Sequence, residues 1–496
     1  MAAPVETFFL DPDAQGTLQA QIQQMIAEAI LSGRLPRAEK LPSTRKLATH
    51  LGVSRITVTL AYTELQANDY LASKGRSGFY VSENAPEPPS FPPHTQRGED
   101  KVDWNRAIGA RFSDGVTPEK PQDWRSYQFP FTYGQSDATL FDHNSWRLCA
   151  IKALGQKDHS AMTRDYYDQD DPQLVEFIAR HILPRRGIQA APEEILVTLG
   201  AQNALWLSAQ ILLTQRRTAA IEDPCYHTLR DILMQSRCHL APIPVDADGL
   251  PPELLPDQTD VIFTTPSHQC PTTSTMPLGR RQALLERARE LDALIVEDDY
   301  EFEMSFLAPP SPALKSLDRE GRVIYVGSFS KSLFPGLRLG YLVGSEPFIR
   351  EARALRSTIL RHPPGLIQRT VAYFLSLGHY DALIRRMGAA YHERRKVMDH
   401  AITTHGLSVA GSGAFGGSSF WMQAPEHVDT AHLADVLKAD SVLIEPGAAF
   451  FAGQDPARNF YRLAYSSIPS GQIDEGIRRI RHRLGTPTPI DPHRFR

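Results

Sequence analysis

The sequence predicts an α/β protein in two parts: a large domain on a sheet buried on both faces, preceded by a small helical domain. Three observations predict it. Short apolar runs rich in β-branched residues alternate with long helical patterns after about position 123. A proline-rich stretch interrupts the chain near position 90, and the segment before it has its own helical periodicity and charge. The 496 residues carry a formal net charge of -4, with 42% hydrophobic and 22% charged residues. That composition excludes a disordered or uniformly basic, histone-like chain. Because net charge averages over patches, nucleic-acid binding by one part stays open.

The break reads A-P-E-P-P-S-F-P-P-H over Ala85–His94. Proline fixes φ and lacks an amide donor, so this stretch is an extended spacer rather than a helix or central strand. The expected division is 1–84 for the small domain, 85–122 for the linker and 123–496 for the large domain. Cys149, Cys225, Cys238 and Cys270 are too far apart for metal-ligand or redox spacing, so no metal is expected. Few thiols in so long a chain suit a reducing cytoplasm. Glu6 stands where a signal peptide carries Lys or Arg, and no apolar run reaches the roughly 18 residues of a membrane helix. The expected location is cytoplasmic, with no membrane contact.

In the small domain, apolar residues at 18, 22, 25, 26, 29 and 30 mark one face of a helix over Leu18–Leu31. Ser43 caps a second helix, Thr44–Leu51, which Gly52 ends. Ser54 caps a third, from Arg55 to about Asn68, with Val58, Ala61, Tyr62 and Leu65 inward. Two short helices joined in this way form a helix-turn-helix, whose second helix fits the DNA major groove. Two strands then flank a basic, glycine-containing turn, Lys74 to Gly78, as a wing. From Gly33 to Ser77 the bases Arg34, Arg37, Lys40, Arg45, Lys46, Arg55, Lys74 and Arg76 face only Glu39, Glu64 and Asp69. A local basic surface is what phosphate neutralisation requires; a winged-helix interaction module with a solvated basic face is the alternative.

The run L-P-S-T-R-K-L-A-T-H-L-G-V-S-R-I-T-V (Leu41 to Val58), followed by a G-x-x-G-x-x-V wing, resembles the winged helix-turn-helix of the GntR family of bacterial regulators. The resemblance implies double-stranded DNA as partner, with Arg45 and Arg55 contacting it. It adds Ser43, Thr57, Lys74 and Arg76 as candidate phosphate contacts.

In the large domain the strand-like runs are Ile195–Thr198, Ala219–Ile221, Val261–Thr264, Ala293–Val296 and Val323–Val326. Continuous hydrophobicity implies strands buried on both faces, hence a parallel sheet under helices. Function in such sheets gathers at the strand C-terminal ends. Three turns there carry chemistry. Leu199-Gly200-Ala201-Gln202 leads into a helix whose free amides suit an anion. Glu297-Asp298-Asp299-Tyr300 puts acids directly after a strand. Gly327-Ser328-Phe329-Ser330-Lys331, followed by Pro335 to Gly340, presents an amine among small hydroxyl residues. Singly, each has a plain explanation: a tight turn, a solvated or metal-binding cluster, a snorkelling lysine. Together they supply what pyridoxal 5'-phosphate needs, a phosphate cup, an acid for the pyridine nitrogen and a lysine for the Schiff base.

Order and spacing resemble fold-type I (aspartate aminotransferase-like) enzymes. A GntR-type winged helix tethered to such a domain resembles the MocR/GabR subfamily. That resemblance implies Lys331 as the Schiff-base lysine, Asp298 paired with the pyridine nitrogen, and Tyr300 on the ring's 3'-oxygen. It implies Ala201, Gln202, Ser328, Ser330 and Arg338 around the phosphate, Tyr226 stacked on the ring, and Arg462 gripping an effector's acid group. Asp299 competes for the acid's role, but points away if Asp298 points in. The resemblance further implies a small amino-compound effector (an amino acid, or a compound like γ-aminobutyrate or taurine). It implies a head-to-tail homodimer on repeated half-sites, controlling genes of that compound's metabolism or of cofactor synthesis. Three positions depart from the pattern or stand beside it: Thr273 replaces a glycine in S-H-Q-x-P-T-G, Cys225 replaces one in E-D-P-G-Y, and His268 is a loop residue. The reading is a cofactor-dependent transcriptional regulator. A working aminotransferase with a DNA-binding appendage, and a sensor of the cofactor itself, stand beside it.

Overall fold

A computed structural model describes residues 3–11, 16–86, 101–112, 120–135, 137–165, 167–309, 311–411, 413, 416–453 and 455–485. From position 87 the proline-rich stretch lies outside the described residues. The chain divides into two units, Met1–Ala110 and Arg111–Arg496.

The first unit holds helices α1 (Leu18–Leu31), α2 (Thr44–Leu51) and α3 (Arg55–Ala67) and the hairpin β1 (Leu71–Ser73) and β2 (Phe79–Val81). Each helix starts on a hydroxyl cap: Thr17 accepts from Ala20 N, Ser43 from Lys46 N and Ser54 from Thr57 N. Gly52, at φ 67°, closes α2 in the left-handed region and sets up the turn into α3. Ile22, Ile26, Leu47, Val58, Ala61 and Tyr62 form the core, and the Tyr62 hydroxyl donates to Pro42 O at 3.0 Å. Ala85 is buried in the same core. Leu18, expected on the inward face of α1, is half exposed because it starts the helix a full turn before the first buried residue, Ile22.

In the second unit, seven strands form the main sheet: β3 (Ile195–Thr198), β4 (Thr218–Asp223), β5 (His239–Pro244), β6 (Thr259–Thr264), β7 (Leu294–Asp298), β8 (Val323–Ser328) and β9 (Gly340–Val343). Their order is β3-β9-β8-β7-β6-β4-β5. The sheet is mixed rather than the parallel one expected: the strand β9, absent from the sequence reading, runs antiparallel to both β3 and β8. Four residues buried on both faces carry no signal of direction, so G-Y-L-V could not reveal it. The prolines of β5 sit on a sheet edge, where a missing donor is tolerated. Ile324 and Val326 of β8 pack into one core while Tyr325 packs into another, so the sheet is covered on both faces. A second, antiparallel sheet follows, with β10 (Ser408–Val409), β11 (Ser419–Gln423), β12 (Glu445–Pro446) and β13 (Phe460–Ala464) in the order β10-β11-β13-β12. No helix among the described residues is long and apolar enough to cross a membrane.

Candidate functional site

The C-terminal ends of the parallel strands open on one cavity of about 270 Å³. Every large-domain candidate lines it: Ala201 and Gln202 after β3, Tyr226 after β4, Asp298 and Tyr300 at the end of β7, Ser328, Ser330, Lys331 and Arg338 from β8 onward, and Arg462 from β13.

Backbone geometry prepares an anion cup at one end. Gly200 has φ 82°, and a Cβ on Gly340 would lie 2.9 Å from the Gly200 backbone, so the two glycines let neighbouring segments close up. The helix Ala201–Leu212 begins there, and among the described residues no side chain caps its first amides. Arg338 is held at φ 50°, ψ 53°, a left-handed conformation that costs a non-glycine residue about 1–3 kcal/mol. Its Nη2 donates to Leu199 O at 3.3 Å, beside Gly200. Ser330 Oγ is buried with no hydrogen-bond partner among the described residues. Helix amides, a spare hydroxyl and a guanidinium suit a phosphate.

At the other end Asp298 is buried, and its Oδ1 has no hydrogen-bond partner among the described residues. Burial, with Asp299 and Glu222 nearby, pushes its pKa up to about 7. A buried carboxylate with a bare oxygen is costly until a donor reaches it, and a protonated ring nitrogen is such a donor. Asp298 binds its proton more tightly folded than unfolded, so its ionisation from about pH 4 to about pH 7 destabilises the cofactor-free protein. Asp298→Asn should therefore gain stability relative to wild type as pH rises through that window. Urea midpoints on either side of it measure this, and a pH-independent difference contradicts it.

Asp299 turns the opposite way. Its Oδ2 accepts from Arg186 Nε at 2.6 Å and from the Tyr325 hydroxyl at 2.8 Å, and this pairing holds its carboxyl below the ordinary range. Arg186 also donates to Ser267 Oγ at 2.8 Å and Ser311 O at 2.7 Å, which ties the turn after β7 to two loops.

Burial lowers the Lys331 pKa to about 8, with Glu301 opposing, so part of its amine is neutral and nucleophilic near neutrality. The Nζ stands 3.9 Å from the Tyr133 ring centroid, and a Cβ on Gly134 would come within 2.6 Å of it. Tyr133, Gly134, Glu445, Cys270, His227 and Thr265 also line the cavity and were not singled out from sequence. They come from a segment without regular periodicity, from the edge of the second sheet, from loops and, for His227, from the start of the helix His227–Gln235, where composition gives no sign of a site.

Glu445 changes what Arg462 offers. The two are directly paired across β12 and β13, and Arg462 Nε donates to Glu445 Oε2 at 2.5 Å. The guanidinium also stacks 3.6 Å from the Tyr133 ring centroid. The expected grip on an acid group therefore starts with one edge of the arginine already engaged. Thr273, at the glycine position, adopts φ 60°, the backbone a glycine would supply. Cys225 is buried, with its amide donating to Phe450 O at 2.9 Å. His268 is buried outside the cavity lining, and burial lowers its pKa to about 4.

In the first unit Arg45, Arg55 and Lys74 are exposed. The Arg76 side chain lies outside the described residues. The Ser43 hydroxyl is engaged as a cap. That of Thr57 is bonded to Ser54 Oγ at 2.8 Å, and Thr57 is half buried. A hydroxyl that accepts a cap bond keeps its own proton to donate, so the exposed Ser43 still suits a phosphate, whereas Thr57 is less accessible.

A winged helix and a fold-type I site in one chain define a class of transcriptional regulators. The model of bacterial regulatory proteins of the gntR family matches residues 18–81, and that of aminotransferase class I and II matches residues 135–480. The chain belongs to the GntR family of regulators, in the MocR-type branch that joins this winged helix to an aminotransferase class I and II domain. It is 56% identical over 484 residues to the HTH-type transcriptional regulator TauR of Rhodobacter capsulatus, covering 98% of this chain and 100% of that one. It is 33% identical over 392 residues to the probable rhizopine catabolism regulatory protein MocR of Rhizobium meliloti, covering 78% of each. Among solved structures, the α-aminoadipate aminotransferase LysN of Thermus thermophilus, complexed with N-(5'-phosphopyridoxyl)-L-leucine, matches with a TM-score of 0.68 and 27% identity, over 77% of this chain and 98% of that one.

Proposed function

We propose that this regulator holds pyridoxal 5'-phosphate in the large-domain cavity and uses it to sense a small amine carrying a carboxylate or sulfonate. The observation that carries this reading is the convergence of Lys331, Asp298 and Arg462 on one cavity. When bound, the cofactor supplies an aldehyde carbon open to amines and an electron-withdrawing ring. The chain's own groups do the rest. Ala201, Gln202, Ser328, Ser330 and Arg338 would hold the phosphate, Asp298 would keep the ring nitrogen protonated, Tyr226 would stack on the ring and Tyr300 would hydrogen-bond its 3'-oxygen. Arg462 would orient the effector's acid group, with Glu445 as the carboxylate that this group displaces or shares. Lys331 has two states, tethered or free, and a discrete local change of this kind is what a ligand can use to bias an allosteric equilibrium.

The proposed readout is DNA binding in the cytoplasm by a head-to-tail homodimer on repeated half-sites. Adding taurine, γ-aminobutyrate, diamines and D- and L-amino acids to the cofactor-loaded chain, and recording its absorbance, tests the sensing. Acid-bearing amines should shift the spectrum and diamines should not. Equal response to all would remove Arg462 from the reading, and sustained keto-acid production over many turnovers would favour an enzyme.

Arg55→Ala should weaken binding to a selected DNA duplex about tenfold, the loss expected of one arginine contact. Cofactor absorbance should stay unchanged. Gel shift and spectroscopy on the same preparation check this, and loss of cofactor loading would make Arg55 structural instead.

A further inference from the structure

The outward face of α3 is apolar where a solvated helix carries charge. At about 100° per residue, Val58, Ala61, Tyr62 and Leu65 face the core. Ile56, Leu60 and Thr63 stand opposite. Ile56 is 71% exposed and Leu60 50% exposed. Four residues apart on one helix, they form a single patch. Thr59 and Thr63 beside them donate their hydroxyl protons back to Arg55 O at 2.8 Å and Thr59 O at 2.9 Å. No charged residue sits on this strip; Arg55 lies at one edge and Glu64 at the other. The exposed charges around the helix-turn-helix are mainly cationic, Arg45, Lys46, Arg55 and Lys74 against Glu64 and Asp69.

An apolar patch in cationic surroundings fits a polyanion that also presents apolar groups. The DNA major groove is such a surface, and its apolar groups are the 5-methyls of thymine. A protein partner would need an apolar centre inside an acidic rim. Resting on the DNA-binding reading above, we infer that Ile56 and Leu60 are specificity-determining residues that read thymine by contact with its 5-methyl group. Arg45 and Arg55 then supply charge, and the patch supplies sequence information by excluding water from methyls.

The test uses the full chain. A duplex is selected from a random library, then synthesised once with thymine and once with deoxyuridine, which pairs identically but lacks the methyl. Wild type should bind the deoxyuridine duplex about fourfold more weakly per contacted methyl, the factor that about 0.8 kcal/mol per buried carbon group gives. Ile56→Ala and Leu60→Ala should bring that ratio toward one while keeping the salt dependence of wild type. Both positions are exposed, so the fold is expected to survive, and thermal unfolding checks it. Equal wild-type affinity for the two duplexes overturns the inference, as does full discrimination in both variants. A change of assembly mass on sedimentation, with discrimination intact, would make the patch a protein contact and also overturn it. Failure to select any duplex would overturn the DNA-binding reading itself, and this inference with it.

Discussion

Lys331→Ala, purified and loaded with pyridoxal 5'-phosphate, should lack the visible absorbance band of a lysine-tethered cofactor. The expected loss is complete, because Lys331 is the lysine lining the cavity, with its Nζ confined by the Tyr133 ring and by Gly134. Non-covalent binding through the phosphate cup should persist and be measurable by equilibrium dialysis. The variant should remain folded, since losing a buried amine removes a desolvation penalty as well as an electrostatic attraction to Glu301. A visible band that survives the substitution would assign the tether to another amine. An unfolded variant would show that Lys331 is needed for packing.

The second large effect is on stability. Arg186→Leu removes the cation from a fully buried pair and strands Asp299, which should cost about 3–5 kcal/mol. Three hydrogen-bond partners of Arg186, namely Asp299, Ser267 and Ser311, lose their donor at once. Cofactor loading should fall too, because Arg186 ties down the turn that begins at Asp298 and Asp299. Arg186→Leu combined with Asp299→Asn should recover part of the loss, since no uncompensated charge is then buried. Chemical denaturation of the four proteins forms the cycle. If the single variant costs under about 1 kcal/mol, the pair is not a structural anchor.

What could be read from the sequence depends on which physical rule each residue obeys. The helix-turn-helix was legible because capping hydroxyls, a left-handed glycine and a 3.6-residue apolar period act locally, within a few positions. The strand-end turns of the large domain were legible for the same reason, since burial on both faces gives continuous apolar runs. The direction of β9 was not, because Gly340–Val343 pairs across nearly 150 positions with Ile195–Thr198, and direction leaves no mark on composition. Choosing between Asp298 and Asp299 rested on side-chain alternation, and the geometry turns one to the cavity and the other to Arg186. Tyr133, Gly134 and Glu445 were invisible, because each reaches the site only through a tertiary approach. Ile56 and Leu60 passed as ordinary helix residues until their exposure was seen.

Under the proposed function, events in the large-domain cavity change DNA binding by the whole chain. The measurement is the dissociation constant for a selected duplex in three forms: cofactor-free, cofactor-loaded, and cofactor-loaded with a saturating acid-bearing amine. A further change between the second and third forms, absent in Lys331→Ala, is the predicted result. Identical constants in all three forms would contradict the account.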